Sequence, residues 1–302
     1  MRSLFLFLSR NRMLRRFMET FPTAKKFSAR FVAGSSLEEA LTVCEKVNRD
    51  GLAITLDYLG ENVSSLDEAA ACRTMYMRCL NELENRRIKG NVSLKLTQFG
   101  MDLSEEACRQ NVRELVCAAA NFGNFVRMDM ESTEYTDRTL HLVYDLFAET
   151  GACGAVIQAY LHRSETDIDE LNRRRIRVRL CKGAYLEPET VAIQDKAAVD
   201  RNFVKLAKKL LVEGNYPALA THDQTIIDEL VAFVREQKIP AERFEFQMLY
   251  GIRRDLQTKL IRDGYRVRLY VPFGEAWYPY FMRRLAERPA NVLFIARALL
   301  RG

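Results

Sequence analysis

Arg177 to Glu187 reads RVRLCKGAYLE, an alternating run that stops at a Lys-Gly-Ala-Tyr turn. Such a pattern describes a strand ending in a functional loop. Alternation places Val178 and Leu180 on one face and Arg179 and Cys181 on the other, so an arginine, with Lys182 beyond it, is carried deep into a sheet. A buried guanidinium needs a carboxylate or an anionic ligand, because burying it unpaired is costly. Gly183 then lets a ligand or another backbone come close. A solvated edge strand with snorkelling arginines fits the same letters, so the surroundings have to decide.

Working outward, seven further runs have strand character: Leu52 to Tyr58, Asn91 to Leu96, Phe125 to Met130, Ala155 to Tyr160, Pro217 to His222, Phe244 to Leu249 and Val267 to Val271. Periodic helical stretches separate them, with start signals at Ser36-Leu-Glu-Glu39 (a capping box), Ser64-Ser-Leu-Asp67, Ser104-Glu-Glu, and Pro188-Glu-Thr for the long helix after the fifth strand. Residues 274 to 287 predict a helix after the last strand, and Pro289 can start a terminal one. Eight strands alternating with helices and no long linker specify α/β architecture, a (β/α)8 TIM-like barrel with extra N-terminal helices and a C-terminal helix. The domain expectation is a helical segment over 1–50 packed on the barrel, and the barrel with its terminal helix over 51–302.

Length and composition agree with this. A chain of 302 residues with 48% hydrophobic and 28% charged residues suits a single soluble barrel and excludes disordered and fibrous classes. The net charge of +6 is concentrated at one end: residues 1–36 carry eight Lys or Arg against Glu19 alone, and the rest holds 38 basic against 39 acidic groups. A nucleic-acid stripe along the body is therefore disfavoured. The basic segment also contains Leu4 to Leu8 and Leu14, Phe17, Met18 and Phe21. Its apolar run is too short for a secretory signal or a membrane span. It reads either as an amphipathic helix on the protein's own body or as a contact with an anionic membrane surface. Seven cysteines with no CxxC pair read as reduced thiols of a cytoplasmic protein, so the localisation is cytoplasmic, with a peripheral place on the inner membrane face as the second reading. Three histidines without an HExxH motif predict no metal site.

In a barrel of this kind function sits at the C-terminal ends of the strands. The polar residues there are Asp57, Lys95, Asp129, Glu131, Gln158, Arg179, Lys182, Thr221, His222, Gln247 and Tyr270, joined by Arg283 and Arg284 on the following helix. Singly, each has a structural explanation as a strand end, a cap or a solvated face. Converging on one mouth, they predict a site with many cations and few acids, built for anions. No GxGxxG, P-loop or GxSxG motif occurs, and no Ser/His/Asp set falls at strand ends. A Schiff-base lysine aldolase using Lys95 or Lys182, and a noncatalytic flavin or anion binder, both remain open.

The combined motifs resemble a known family. SLKLTQFG, VRMDME, VIQAY, RLCKGAYLEP, ATHD, FEFQMLYG, RLYVPFG and YFMRRLAERP, in that order, resemble FAD-dependent proline dehydrogenase of the short monofunctional bacterial type; RFVAGSSLEEAL and GLAITLDYLGE fit as well. The resemblance covers nearly the whole chain from about residue 30. It implies hydride transfer from the ring carbon beside the nitrogen of L-proline to FAD, giving Δ1-pyrroline-5-carboxylate, with electrons passed to a quinone. It further implies that Arg283, Arg284 and Lys95 clamp the substrate carboxylate, that Tyr270, Ala184, Tyr185 and Leu249 wall the ring, and that Asp129 orients neighbouring polar groups. Arg179 is implied beside the flavin's reactive nitrogen and Gln158 at the isoalloxazine. Lys182, Gly183, Thr221 and His222 are implied along the rest of the cofactor, with Arg284 and Glu287 also in contact with it. Leu186 stands where larger bifunctional relatives have a flavin-stacking tryptophan, and Cys181 replaces an aliphatic residue. The second step of proline catabolism is expected from a pyrroline-5-carboxylate dehydrogenase as partner.

Overall fold

The structure, a computed structural model, describes residues 30–60, 62–278 and 280. Eight parallel strands close into a barrel in sequence order: β1 Ala53–Tyr58, β2 Gly90–Leu94, β3 Val126–Met128, β4 Cys153–Gln158, β5 Arg177–Cys181, β6 Ala218–Ala220, β7 Glu245–Leu249 and β8 Val267–Phe273. The closure is the pairing of β1 with β8, which sets Thr55 beside Tyr270 and Asp57 beside Pro272. Seven helices follow β1 to β7 in turn: α2 Leu66–Asn85, α3 Glu105–Asn121, α4 Thr136–Thr150, α5 Ser164–Arg173, α6 Lys196–Glu213, α7 Gln224–Glu236 and α8 Arg254–Arg262. Helix α1, Leu37–Arg49, precedes the barrel and packs against β1 and β8.

Alternation along each strand explains how the barrel sits inside its helices. Ile54, Leu56, Val92, Leu94, Val178, Leu180, Phe246 and Met248 are all buried in one continuous core with helix residues such as Leu83, Val112, Leu206 and Leu230. The opposite parity is polar, with Thr55, Asn91, Ser93, Arg127, Arg179, Glu245 and Gln247 all buried. A barrel lumen filled with hydrogen-bonding and charged side chains, rather than with the usual branched aliphatics, is the chief departure from a purely packed core.

Helix starts follow the sequence signals where a cap oxygen is in place. Ser36 accepts from the Glu39 N–H while Glu39 reaches back, completing the capping box, and the Ser65 and Ser104 hydroxyls accept from Glu68 and Ala107 N–H groups. The expected start near Pro188-Glu-Thr is corrected: α6 begins at Lys196, capped by the Asp195 carboxylate, which accepts from the Ala198 N–H at 2.8 Å. Residues 188–193 instead form a turn on Pro188 and an antiparallel bridge between Ala192 and Leu161, with Ala192 buried against Tyr160 and Leu161. Packing of that small apolar cluster outweighs the local helix signal. The expected helices before residue 30, most of the one over 274–287 and the one after Pro289 lie outside the described residues. Among the described residues no helix is long and apolar enough to cross a membrane, and no cluster of ligating side chains could hold a metal ion.

Candidate active site

Strands β3, β5 and β8 bring Asp129, Arg179 and Tyr270 to one point near the mouth of the lumen. Asp129 directly follows β3, and its backbone N–H still bonds the Leu94 carbonyl, which fixes where its side chain leaves the strand. One carboxylate oxygen, Oδ1, accepts from Arg179 Nη1 at 2.7 Å and from the Ser93 hydroxyl at 2.6 Å; the other accepts from the Tyr270 hydroxyl at 2.8 Å. Burial works to raise the Asp129 pKa, but Arg179, Lys95 and the Ser93 and Tyr270 hydrogen bonds outweigh it and hold the carboxyl below its ordinary value. Tyr270 is driven the other way, well above a free phenol, by burial and by the charges of Asp129 and Asp57, so it remains a donor. The Arg179 guanidinium carbon lies 5.2 Å from the Tyr270 ring centroid, adding a cation–π contact.

Arg179 is tied on a second side, where its Nε donates to Gln247 Oε1 at 2.6 Å. Its Nη2 is buried and has no hydrogen-bond partner among the described residues. Deeper in the lumen, Gln247 donates to Glu245, which also pairs with Arg268 at 2.7 Å. Arg127 is 0% exposed; its Nη1 donates to the carbonyls of Ala155 and Arg177, and its guanidinium lies over the Phe125 ring. A side chain at Gly154 would strike that guanidinium and the Arg177 carbonyl, so glycine there makes the room Arg127 fills.

Beside the central pair, Lys95 Nζ lies 3.6 Å from Asp57 Oδ1. Tyr76 holds this corner, donating to the Ser93 carbonyl at 2.8 Å, accepting the Tyr58 N–H at 3.2 Å and lying 3.3 Å from Asp57. Among the described residues, the cations of the mouth and lumen that the strands carry stand largely beside acids; Arg283 and Arg284, which the expected excess of cations included, lie outside them. Lys95 meets Asp57, Arg179 meets Asp129, and Arg268 meets Glu245, each pair offsetting the cost of a buried charge, while Arg127 relies on backbone carbonyls.

Lys182 also differs from the sequence expectation of a lysine deep in the sheet. It has the parity of Val178 and Leu180, so it leaves the lumen and bridges Asp200 at 2.5 Å and Asp223 at 3.1 Å, at the starts of α6 and α7. Gly183 has φ +124°, and a Cβ there would strike the Tyr160 ring. The next residue, Ala184, is exposed and donates its N–H to Gln158 Oε1, whose Nε2 donates to the Glu131 carbonyl at 2.9 Å. Tyr185 is half-buried. Glu187 anchors this loop across the mouth, accepting from the Thr133 N–H and hydroxyl at 2.8 and 2.6 Å. Thr221 Oγ1 accepts from the Asp223 N–H, and the Leu249 N–H points to His222 Nε2 at 2.9 Å. Arg283, Arg284 and Glu287 lie outside the described residues.

Several groups of the lumen were missed in the sequence: Ser93, Tyr76, Arg127, Glu245 and Arg268. All but Tyr76 sit on strands in the parity that enters the lumen, and Arg127, Glu245 and Arg268 each lie two residues before a named site residue. Alternation counted back from the strand ends would have found those three.

Fold and site together define a class: a (β/α)8 barrel whose strand ends carry an interlocked set of ionised and hydrogen-bonded side chains, the layout of barrel enzymes. The family model described as proline dehydrogenase matches residues 40–297. Proline dehydrogenase 1 of Bacillus subtilis is 42% identical over 301 residues, covering 100% of this chain and 99% of its own. The proline dehydrogenase of Deinococcus radiodurans is 43% identical, covering 90% of each chain. The bifunctional protein PutA of Escherichia coli is 28% identical over 88% of this chain, which spans only 24% of that protein. A crystal structure of proline utilization A from Bdellovibrio bacteriovorus, inactivated by N-propargylglycine, superposes with a TM-score of 0.80 at 29% identity, over 87% of this chain and 32% of that one. The chain belongs to the proline dehydrogenase family, and it matches the short members along their length rather than the PutA fusions.

Replacing Asp129 by Asn should remove the counter-charge of a buried guanidinium and cost about 3 kcal/mol of stability at neutral pH. Because the folded carboxyl lies below its ordinary value, this contribution is complete above an unfolded pKa of about 4 and is lost as pH falls through the folded value. Urea unfolding of both proteins should show a constant gap from about pH 5 to 8 that closes in acid. A gap that is absent at neutral pH, or that widens in acid, would contradict the pairing.

Proposed function

We propose that this protein is an FAD-dependent proline dehydrogenase that oxidises L-proline to Δ1-pyrroline-5-carboxylate, the first step of proline catabolism, with electrons passing on to a quinone. The observation that carries the reading is Arg179: a buried guanidinium, 6% exposed, tied by Asp129 and Gln247, with Nη2 left over at the functional end of the barrel. Together with the family match, that orphan donor suits the ring of a flavin, an acceptor that gains negative charge on reduction. When bound, FAD would supply the two-electron acceptor that no side chain here can be.

The protein's residues supply binding and orientation. Arg283, Arg284 and Lys95 clamp the proline carboxylate, the two guanidinium forks matching a planar anion. Tyr270, Ala184, Tyr185 and Leu249 wall the five-membered ring, and Tyr270 is kept in place by its bond to Asp129 and kept protonated by burial and the nearby charges of Asp129 and Asp57. Arg179 faces the reactive end of the flavin. Gln158 braces Ala184 beside the ring system, and Lys182, Gly183, Thr221, His222, Arg284 and Glu287 hold the remaining length of the cofactor. The amine of proline must be neutral for its lone pair to expel hydride, so proton loss precedes or accompanies transfer. The Schiff-base reading is less well supported, since a free amine is required and both lysines stand in ion pairs, Lys95 with Asp57 and Lys182 with Asp200 and Asp223.

The test is the visible spectrum of the purified protein without oxygen, before and after L-proline. The reading predicts flavin bands that bleach with L-proline and persist with a non-cyclic amino acid. A protein that stays colourless after added FAD, or a flavin that L-proline leaves oxidised, would overturn it.

The basic segment over residues 1–36 suggests where the electrons go: eight cations against one acid would draw the protein to an anionic membrane surface, where a quinone resides. The product would pass to a pyrroline-5-carboxylate dehydrogenase. Deleting residues 1–20 should weaken binding to anionic vesicles without changing proline-dependent flavin reduction, and unchanged vesicle binding would dispose of the membrane contact.

A further inference from the structure

We propose that Gln247, with Glu245 and Arg268 behind it, forms a positioning relay that sets the orientation of the Arg179 guanidinium. The inference rests on the flavin reading above, in which Arg179 faces the cofactor. Glu245 and Gln247 are two residues apart on β7, so both enter the lumen, Glu245 one step deeper. A glutamine amide can be turned either way, but this one cannot: its Nε2 donates to Glu245 Oε1 at 2.6 Å, which leaves its Oε1 to accept from Arg179 Nε at 2.6 Å. A carboxylate has only acceptors to offer, so Glu245 selects the amide orientation that Arg179 requires.

Glu245 is itself held from three directions. Arg268 Nε donates to Oε1 at 2.7 Å, the Gln247 amide shares that oxygen, and the Tyr216 hydroxyl donates to Oε2 at 3.2 Å. Burial opposes its ionisation, but Arg268, Gln247 and Arg127 outweigh it and keep the carboxyl below its ordinary value. Arg268 is anchored in turn by the Ile54 carbonyl at 2.7 Å and by Asn91 Oδ1 at 3.1 Å. The chain of contacts thus runs from the depth of the lumen to the mouth. At the mouth, ties at Nε from Gln247 and at Nη1 from Asp129 fix the plane of a rigid guanidinium, and Nη2 alone remains without a partner among the described residues. Gln247, Glu245 and Arg268 act through Arg179 and are positioning residues.

The test uses the FAD-loaded protein and two variants, Gln247→Met and Glu245→Gln, with the midpoint potential of the bound flavin and the separate values of kcat and KM as readouts. Gln247→Met deletes the tie at Nε while keeping the side chain's length. It should shift the potential to more negative values and lower kcat about tenfold, the effect of one hydrogen bond to a charged group, with KM for L-proline within about twofold. Glu245→Gln brings a donor as well as an acceptor, so it no longer selects the amide orientation of Gln247; it should lower thermal stability and move potential and kcat in the same direction as Gln247→Met. Gln247→Met with unchanged potential and kcat overturns the relay and leaves the function standing, provided L-proline reduces the flavin of the unaltered protein. A Glu245→Gln protein that folds with unchanged potential and kcat overturns the orienting role of the deeper carboxylate. If Glu245→Gln does not fold, Gln247→Met decides alone. An unaltered protein whose flavin L-proline does not reduce overturns both readings.

Discussion

A guanidinium placed inside a barrel has to be neutralised where it lies, and the pairing of Arg179 with Asp129 does this across two strands, β5 and β3, at 2.7 Å. Much of the site takes its place from that pair. Ser93 is held by the shared carboxylate oxygen, Tyr270 by the other one, and Gln247 by the far side of the guanidinium. Breaking such a pair by removing one partner is far more costly than never having built it, so these cations sit beside their counter-charges, whereas Arg127 is held by two backbone carbonyls instead. Arg268 with Glu245 repeats the arrangement at a deeper level, and Lys95 with Asp57 repeats it at the side.

This gives the barrel a division of labour by parity. On β5, Val178 and Leu180 face the helices and supply burial, while Arg179, between them in sequence, faces the lumen. The apolar parity holds the barrel closed, and the polar parity, fixed by that closure, holds charged groups at defined separations without help from solvent. Preorganisation of this kind is what the proposed hydride transfer would need from the protein, since a cofactor would provide the electron chemistry and the chain orientation and field. The loop after β5 joins the same framework through Gly183, packed on Tyr160, and through Glu187, latched to Thr133.

Much of this was legible in the sequence because it depends on short periodicities. The eight strand segments, the serine caps at 36 and 104 and the inward face of Arg179 all follow from alternation or from cap chemistry, which are local. What was not legible depends on contacts distant in sequence. Nothing near Pro188 says that Ala192 will pair with Leu161 and delay the helix to Lys196. Alternation from Val178 and Leu180 already turns Lys182 away from the lumen, but nothing near it says that Asp200 and Asp223 will meet it there. The acids that neutralise the mouth were visible as letters, but which cation each would meet depends on strand register around the barrel. Arg127, Glu245 and Arg268 were hidden differently, since charged residues in the interior of a strand read as exposed until the whole lumen is known to be polar.

The most direct measurement is a crystal structure of the protein with FAD bound. The account predicts the isoalloxazine ring at the mouth of the barrel with its reactive nitrogen within hydrogen-bond reach of Arg179 Nη2, about 3 Å, and Arg179 still held by Asp129 and Gln247. A flavin bound elsewhere, or an Arg179 guanidinium turned away from the ring, would contradict it.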